Sequence, residues 1–195
     1  MTSEISDRQQ EIINMSLELI AESGIQGLTI KNLSKKIGFT ESAVYRHFEN
    51  KIQILVAILD FFKEKTNSFF TSELNNADNT ITKIDRLFLT HFRTFSKSPS
   101  LVAVIFSEEI FRNEAILSEK VTEIMNKNAS SLMNIIKTGQ EKGEIRKDID
   151  PSDLSTIIMG SLRMFVKQWH MSNYSFDLTK KGSEFINSIK TLISN

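Results

Sequence analysis

Cationic and hydroxyl-bearing side chains are concentrated in residues 29–51, whose sequence is TIKNLSKKIGFTESAVYRHFENK. The candidates are Lys31, Lys35, Lys36, Ser42, Tyr45, Arg46 and Lys51. Such groups donate hydrogen bonds to phosphate oxygens and to base edges, so the chemistry that suits them is nucleic-acid binding. Whether they can act together depends on the elements that carry them.

Two short helices joined by a glycine turn carry these side chains. In the first helix Ile30, Leu33 and Ile37 recur at a 3.6-residue period, which places the lysines on another side. Gly38 supplies the dihedral freedom that a sharp turn needs, and Thr40 is a favourable N-cap for the next helix. The first helix is therefore expected to be amphipathic with a basic side.

The second helix is expected to begin at about Glu41 and to bury Val44 and Phe48, which are four residues apart. Its opposite face then carries Glu41, Ser42, Tyr45 and Arg46. This arrangement is a helix-turn-helix, in which the second helix enters the major groove of DNA and the first crosses the backbone.

Residues 7–60 resemble the N-terminal DNA-binding domain of TetR/AcrR-family transcriptional repressors. The resemblance rests on the phrase VYRHFENK, from Val44 to Lys51, and on a single upstream helix that ends at Gly24. It implies phosphate contacts for Thr40, His47 and Lys51. Lys51 also has an independent argument, because the first turn of a helix favours an anion.

Several roles at the recognition helix remain open. The resemblance places Glu41 and Ser42 where the family reads bases, and Glu41 either accepts from a cytosine amino group or excludes sequences by repulsion. Arg46 suits a phosphate or a guanine, and Lys31 either approaches DNA or belongs to a solvated face. The expected DNA-binding residues are Thr29, Lys31, Thr40, Glu41, Ser42, Tyr45, Arg46, His47 and Lys51.

Charge distribution supports this interpretation, although the formal net charge of the 195 residues is zero. Residues 31–51 hold five of the six basic groups of the first 51 residues and only two acidic ones, Glu41 and Glu49. The segment expected to touch DNA is therefore positive, as phosphate contacts require.

Other classes of protein find little support. The chain has no cysteine, which excludes disulfides and thiolate metal sites. Its N-terminus lacks a signal-peptide pattern, and its apolar runs are too short to span a bilayer. The three histidines, His47, His91 and His170, lie on separate predicted helices, so no enzyme site is expected. We expect a soluble, cytoplasmic protein that has no cofactor, no metal and no membrane contact.

The chain as a whole is expected to be all-α with about nine helices. Apart from the helix-turn-helix, they are predicted at about 7–23, 52–74, 80–97, 99–111, 114–142, 151–172 and 178–194. Ser6 with Gln9 and Asn50 with Gln53 resemble capping boxes. Ser98 and Asp150 precede prolines as candidate N-caps. We expect a DNA-binding domain in residues 1–51, a connecting helix in 52–74, and a domain for effector binding and dimerisation in 75–195.

The C-terminal region is rich in phenylalanine and methionine, which pack a core more often than they line a pocket. The family layout nevertheless implies a cavity for a small hydrophobic effector. The expected pocket residues are Phe88, His91, Phe92, Phe95, Met125, Met133, Met159 and Phe165. His91 and Arg93 are candidate polar anchors, or else an ordinary core histidine and a surface arginine.

The last two predicted helices carry more apolar surface than one packing face needs, and Gly160 permits close helix approach. The resemblance implies a homodimer through a four-helix interface; the alternative is that this surplus is intramolecular core. The expected interface residues are Leu154, Ile158, Gly160, Leu162, Phe165, Trp169, Phe185, Ile189 and Leu192.

These expectations describe a homodimeric repressor on a palindromic operator in double-stranded DNA, released by a hydrophobic small molecule. Fold alone cannot separate this function from an alternative in which the C-terminal domain binds a protein partner.

Overall fold

The computed structural model describes residues 5–107 and 113–194, and these residues form nine α-helices and no strand. The helices are α1 (Asp7–Gly27), α2 (Ile30–Ile37), α3 (Glu41–Tyr45), α4 (Lys51–Asn75), α5 (Thr80–Lys97), α6 (Pro99–Ile105), α7 (Ala115–Glu141), α8 (Pro151–Met171) and α9 (Leu178–Ile193). The described part of the chain is therefore all-α, as the sequence predicts. None of its helices combines the length and apolar character that a membrane span requires.

The chain divides into two packed units. Among the described residues, unit 1 comprises 5–62 with 98–107 and 113–121, and unit 2 comprises 63–97 with 122–194. Helices α4 and α7 each contribute residues to both units.

Unit 1 packs α1 against α2 and α6, and α2 against α3. Ile12 and Ile13 of α1 are fully buried, as are Leu33 of α2 and Val44 of α3. Burial of a large aliphatic side chain contributes about 1.5–3 kcal/mol, so these four residues hold the short helices in place. The isolated five-residue α3 could not persist without this packing.

Unit 2 packs α5 mainly against α9 and also against α8. Its core includes Phe88 and Phe92, both fully buried. Gly182 of α9 faces the Phe92 ring, and a Cβ atom there would lie 2.3 Å from ring carbons. A glycine at this position therefore allows the two helices to approach closely.

The connection between α7 and α8 ties several helix ends of unit 2 together. Gly143, with φ 76°, follows the end of α7. The Glu144 carboxylate accepts a hydrogen bond of 2.7 Å from the Thr80 backbone N–H at the start of α5. The Arg146 backbone N–H donates to the Ile193 carbonyl at the end of α9. One short loop thus caps two helices that are distant in sequence.

A buried ion pair joins the end of α4 to α5. The Glu73 carboxylate, which is buried, accepts hydrogen bonds from Nε and a terminal nitrogen of Arg86. Arg86 also pairs with Asp78 at 2.8 Å. These carboxylates raise the pKa of Arg86, first through the hydrogen bonds that its guanidinium donates to Glu73. The bidentate pair fixes the turn between the two helices.

Most predicted helix boundaries agree with the structure to within one residue, and at the predicted end of α1 only the conformation of Gly24 differs from the prediction. The sequence predicts an end at Ser23 with Gly24 as a left-handed cap. Gly24 instead has φ 68° and ψ 177°, outside the left-handed helical region, and one further turn follows as far as Gly27. A glycine can take this conformation at low cost, so the regular helix breaks at Gly24, as predicted, and a separate turn follows.

The predicted helix 99–111 is also corrected. Helix α6 ends at Ile105, and the expected end at Phe111 lies outside the described residues. Ser98 makes no side-chain capping bond, whereas the Asp150 carboxylate accepts from the Ser152 N–H at 2.8 Å as predicted.

The two predicted capping boxes differ in their outcome. At α1 both reciprocal bonds between Ser6 and Gln9 are present. At α4 the side-chain oxygen Oδ1 of Asn50 accepts from the Gln53 backbone N–H, as predicted. The Gln53 side chain, however, accepts from the backbone N–H of Glu49 instead of that of Asn50. The second box is therefore only half as predicted.

Candidate functional site

Helix α2 is anchored at its first turn by two side-chain bonds. The Thr29 hydroxyl accepts from the Asn32 N–H at 3.1 Å, and the Asn32 amide donates to the Gly27 carbonyl at 2.9 Å. Ile30 is buried, while Lys31 and the Thr29 side chain remain exposed. The predicted amphipathic helix is confirmed, and Thr29 and Lys31 lie at its exposed N-terminal end.

Gly38 forms the turn of the helix-turn-helix. Its dihedrals of φ 80° and ψ 29° are left-handed, and its N–H donates to the Ser34 and Lys35 carbonyls. The following Phe39 N–H also donates to the Ser34 carbonyl, at 2.8 Å. The turn therefore satisfies the last carbonyls of α2 and redirects the chain towards α3.

Helix α3 presents one polar face. The Thr40 hydroxyl accepts from the Ala43 N–H at 3.2 Å and lies 3.0 Å from the Ser42 hydroxyl. Val44 is fully buried, whereas the Tyr45 side chain is half exposed. The other exposed residues of this face are Glu41, Ser42 and Arg46. The structure thus brings the predicted polar residues of the second helix together on one surface.

His47 and Lys51 lie at the junction between α3 and α4, and both are half-buried. His47 continues the turn after α3, because its N–H donates to the Val44 carbonyl at 2.9 Å. Lys51 is the first residue of α4, where the backbone N–H groups point outward. Both residues are therefore in unit 1 with the remaining DNA-binding candidates.

The cations of unit 1 are not all equally available. Lys36 lies 2.8 Å from the Glu22 carboxylate and 3.4 Å from that of Glu18, both on α1. Hydrogen bonding to Glu22 is the main cause of the raised pKa of Lys36. The positive charge of Lys36 is therefore paired with carboxylates of α1 within unit 1. Four cations of residues 31–51 remain against Glu41 and Glu49, and these four are Lys31, Lys35, Arg46 and Lys51.

In unit 2 the aromatic pocket candidates pack against one another. The Phe88 and Phe92 ring centroids are 5.8 Å apart, and that of Phe92 lies 5.5 Å from that of Phe165. The Phe165 and Phe185 rings are stacked at 4.6 Å. Phe95 is also buried. These aromatic side chains form a cluster, as the core interpretation expects.

The methionine candidates are less enclosed than the aromatic ones. The Met125 side chain is 48% exposed, and its sulfur lies 3.5 Å from the Arg163 guanidinium. Met133 and Met159 are half-buried. Met125 thus lies on the surface and not inside the unit, because it falls outside the buried stripe of α7 that contains Ile124.

The two candidate polar anchors, His91 and Arg93, differ in burial. His91 is buried, with Nδ1 2.8 Å from the Leu87 carbonyl oxygen, and burial lowers its pKa. It is therefore a neutral core residue at pH 7. Arg93 is exposed on α5, so it is not an interior anchor.

Five residues predicted for the dimer interface are buried within unit 2 and cannot form the surface that a second chain contacts. They are Leu154, Ile158, Leu162, Trp169 and Ile189. Gly160 and Leu192 are exposed, and Phe165 and Phe185 are half-buried. Both stripes of α8 are apolar, and these five residues belong to the stripe that faces the core of unit 2.

The exposed stripe of α8 contains Ile157, Met164 and Met171, which are seven residues apart and respectively 48%, 58% and 73% exposed. These three residues are not among the predicted interface residues, although their heptad spacing is visible in the sequence. A groove of about 460 Å³ lies on this surface, which we call the α8–α9 groove. It is lined by Thr156, Ile157, Gly160, Ser161, Met164, Phe165, Gln168 and Phe185.

Unit 1 thus defines a helix-turn-helix protein, and family comparisons identify its class further. Residues 12–58 match the model of bacterial regulatory proteins of the tetR family, and residues 62–193 match that of the YsiA-like protein C-terminal region. The chain therefore belongs to the TetR family of DNA-binding transcriptional regulators, and the predicted resemblance is confirmed.

Individual relatives agree with the family. The chain is 25% identical to the fatty acid metabolism regulator protein of Bacillus subtilis over 96% of each chain. It is 22% identical to the nucleoid occlusion factor SlmA of Haemophilus influenzae, over 84% of this chain and 77% of the relative. Among solved structures, the FadR regulator of Bacillus subtilis in complex with stearoyl-CoA is 25% identical. It has a TM-score of 0.75 and covers 94% of this chain and 96% of its own.

Proposed function

We propose that this DNA-binding repressor acts as a homodimer on a palindromic operator and that a long-chain acyl-CoA releases it from DNA. The choice of a long-chain acyl-CoA as effector is supported by the similarity to a regulator whose structure contains stearoyl-CoA. That similarity extends over both units, because 94% of this chain is covered. The domains predicted from the sequence, which are 1–51 for DNA binding, 52–74 as the connecting helix and 75–195 for effector binding and dimerisation, are part of this proposal.

The DNA contacts are assigned to the exposed face of unit 1. Thr29, Lys31, Thr40, His47 and Lys51 contact phosphates and set the position of α3. Tyr45 and Arg46 contact a phosphate or a base, and Glu41 and Ser42 lie towards the base edges. The support for this assignment is that all nine residues belong to unit 1 and none is fully buried.

The homodimer is assigned to the α8–α9 groove. Ile157 and Met164 expose large apolar surfaces beside the half-buried Phe165 and Phe185. In a two-fold symmetric dimer the same surface of each chain contacts its copy, so one self-complementary groove is sufficient. Gly160 has no heavy atom within 4 Å of where a Cβ would stand, which leaves room for a close helix crossing.

Release of the operator DNA follows from thermodynamic linkage between effector binding and DNA binding. Two recognition helices must lie about one DNA turn apart, roughly 34–36 Å, to enter successive major grooves. An effector that binds more tightly to a dimer with a different spacing must lower operator affinity by the same factor. Helix α4 runs from Lys51 to Asn75 and contributes residues to both units, so it is the element that we propose for the coupling.

The proposal is tested first by selecting operators from a random 30-base-pair library with the purified protein. Two protomers per enriched palindrome are expected by light scattering. A thermal-shift titration with stearoyl-CoA then tests effector binding, with coenzyme A and stearate as controls. Stabilisation by about 2.7 kcal/mol is expected at a hundredfold excess over the dissociation constant.

Two outcomes contradict the proposal. Failure to enrich any sequence contradicts binding to a specific operator. Failure of stearoyl-CoA to stabilise the protein contradicts an acyl-CoA effector. A protein that enriches an operator but ignores acyl-CoA fits the alternative function, in which the C-terminal domain binds a protein partner.

A further inference from the structure

Arg8, in the first turn of α1, is held against the turn of the helix-turn-helix. Its guanidinium carbon lies 4.6 Å from the centroid of the Phe39 ring. The same guanidinium forms an ion pair with Glu11, one turn further along α1. The Arg8 side chain is 51% exposed and that of Glu11 is 45% exposed.

The position of Phe39 brings this cation close to the recognition helix. Phe39 stands between Gly38, which ends α2, and Thr40, which caps α3. Its backbone N–H is bonded to Ser34, so the ring projects from a fixed point. The Arg8 guanidinium therefore contacts the residue that directly precedes the N-cap of α3.

The guanidinium carbon lies over the Phe39 ring, and a terminal nitrogen of the same group still donates a hydrogen bond to the Glu11 carboxylate. A planar guanidinium can stack on a ring and donate two parallel hydrogen bonds to an anion at the same time. Stacking also removes rotamer freedom before an anion binds, which lowers the entropic cost of the contact.

The pair with Glu11 is easily exchanged. Exposed ion pairs contribute about 0–1 kcal/mol, because water competes for both partners. A phosphate oxygen accepts from arginine at least as well as a carboxylate does, and binding it releases a condensed counterion from DNA.

We propose that Arg8 is a further DNA-phosphate ligand, that Phe39 positions it, and that Glu11 competes with the phosphate for it. This inference rests on the proposed operator binding. It adds a cation from α1 to those of residues 31–51, and it makes the affinity depend on a carboxylate that does not itself bind DNA.

The test measures fluorescence anisotropy of the selected operator duplex at four salt concentrations. Arg8→Ala is expected to lower the affinity about tenfold at 0.1 M salt and to reduce the salt slope by about 1.8, because each protomer of the proposed homodimer loses one contact. Phe39→Leu lowers the affinity less and keeps the slope, because the charge remains. Lys137→Ala, which removes an exposed cation of unit 2, serves as the matched control and changes neither quantity.

Glu11→Gln is expected to raise the affinity, and by a larger factor in the wild type than in the Arg8→Ala variant. An unchanged salt slope in Arg8→Ala overturns the phosphate contact. Equal effects of Glu11→Gln in both backgrounds overturn the competition, because simple repulsion of DNA needs no arginine. Circular dichroism confirms folding of each variant. If the wild type binds no duplex at all, the result contradicts the proposed operator binding and not the role of Arg8.

Discussion

The Lys36 ammonium lies 2.8 Å from the Glu22 carboxylate, fourteen residues earlier in the chain. The pair joins α2 to α1 on the side of unit 1 where Glu18 also approaches. A lysine that the sequence places on a basic helix side is therefore part of the packing between two helices. The lysines of this segment should consequently differ in their effect on DNA binding.

The first prediction separates these cations. Lys51→Ala should weaken operator binding and reduce the salt slope by about 1.8, because one phosphate contact is lost in each protomer of the dimer. Lys36→Ala should leave the slope unchanged, because Lys36 is already paired with two carboxylates. Anisotropy at several salt concentrations measures both. A slope that falls equally in the two variants would show that Lys36 reaches DNA.

The second prediction concerns Tyr45, half of whose side chain is exposed on α3. Tyr45→Phe should weaken operator binding, because the hydroxyl is lost while the ring is retained. The fold should be unaffected, since the removed oxygen makes no core contact. Affinity and melting temperature are the two measurements. Wild-type affinity in this variant would place the Tyr45 hydroxyl outside the DNA interface.

The third prediction concerns the turn at Gly38. Gly38→Ala should lower the free energy of unfolding by about 1–2 kcal/mol, because a side chain disfavours the left-handed region. No atom lies within 4 Å of the added Cβ, so the cost comes from the backbone alone. Gly38→Asn is the matched control and should cost less, since asparagine tolerates this region. Denaturant unfolding measures both, and an Ala variant as stable as wild type would contradict the assignment.

The fourth prediction contrasts two adjacent residues of α8. Ile157 is 48% exposed and Ile158 is fully buried. Ile157→Asp should give a folded monomer, because it places a charge at the proposed dimer contact. Ile158→Asp should unfold the protein, because a buried unpaired charge costs several kcal/mol. Light scattering and circular dichroism distinguish these outcomes, and an Ile157→Asp protein that stays dimeric would refute the α8–α9 groove as the interface.

The fifth prediction concerns pH and Glu144. Hydrogen bonds from Thr80 lower the pKa of the Glu144 carboxyl below its usual value of 4.5. A lowered pKa in the folded state stabilises the protein above the unfolded-state value, and this contribution is lost as pH falls through the folded value. Unfolding between pH 6 and 3 should therefore lose part of its pH dependence in Glu144→Gln. The exposed Glu141→Gln is the control, and identical profiles for wild type and Glu144→Gln would disprove the coupling.

Periodicity and capping were sufficient to predict the helices from the sequence. The regular stripe of Ile30, Leu33 and Ile37 and the cap at Thr40 gave α2 and the start of α3 within a residue or two. Gly24 was misassigned because a glycine allows several conformations with positive φ, and the sequence does not choose among them.

The sites were harder to predict, because they depend on contacts between distant residues. The pairing of Lys36 with Glu22 requires the crossing of α1 and α2, which no local pattern contains. On α8, both the stripe that contains Ile158 and the stripe that contains Ile157 are apolar. The periodicity therefore indicates more apolar surface than one packing face needs, but not which stripe faces the core. Burial within unit 2 decides between them.

The central claim is tested most directly by titrating stearoyl-CoA into the complex of wild-type protein with a labelled selected operator. We predict that fluorescence anisotropy falls to the value of free DNA, while coenzyme A at the same concentrations leaves it unchanged. Anisotropy that remains at the bound value, at concentrations of stearoyl-CoA that stabilise the protein against heat, would contradict release by an acyl-CoA.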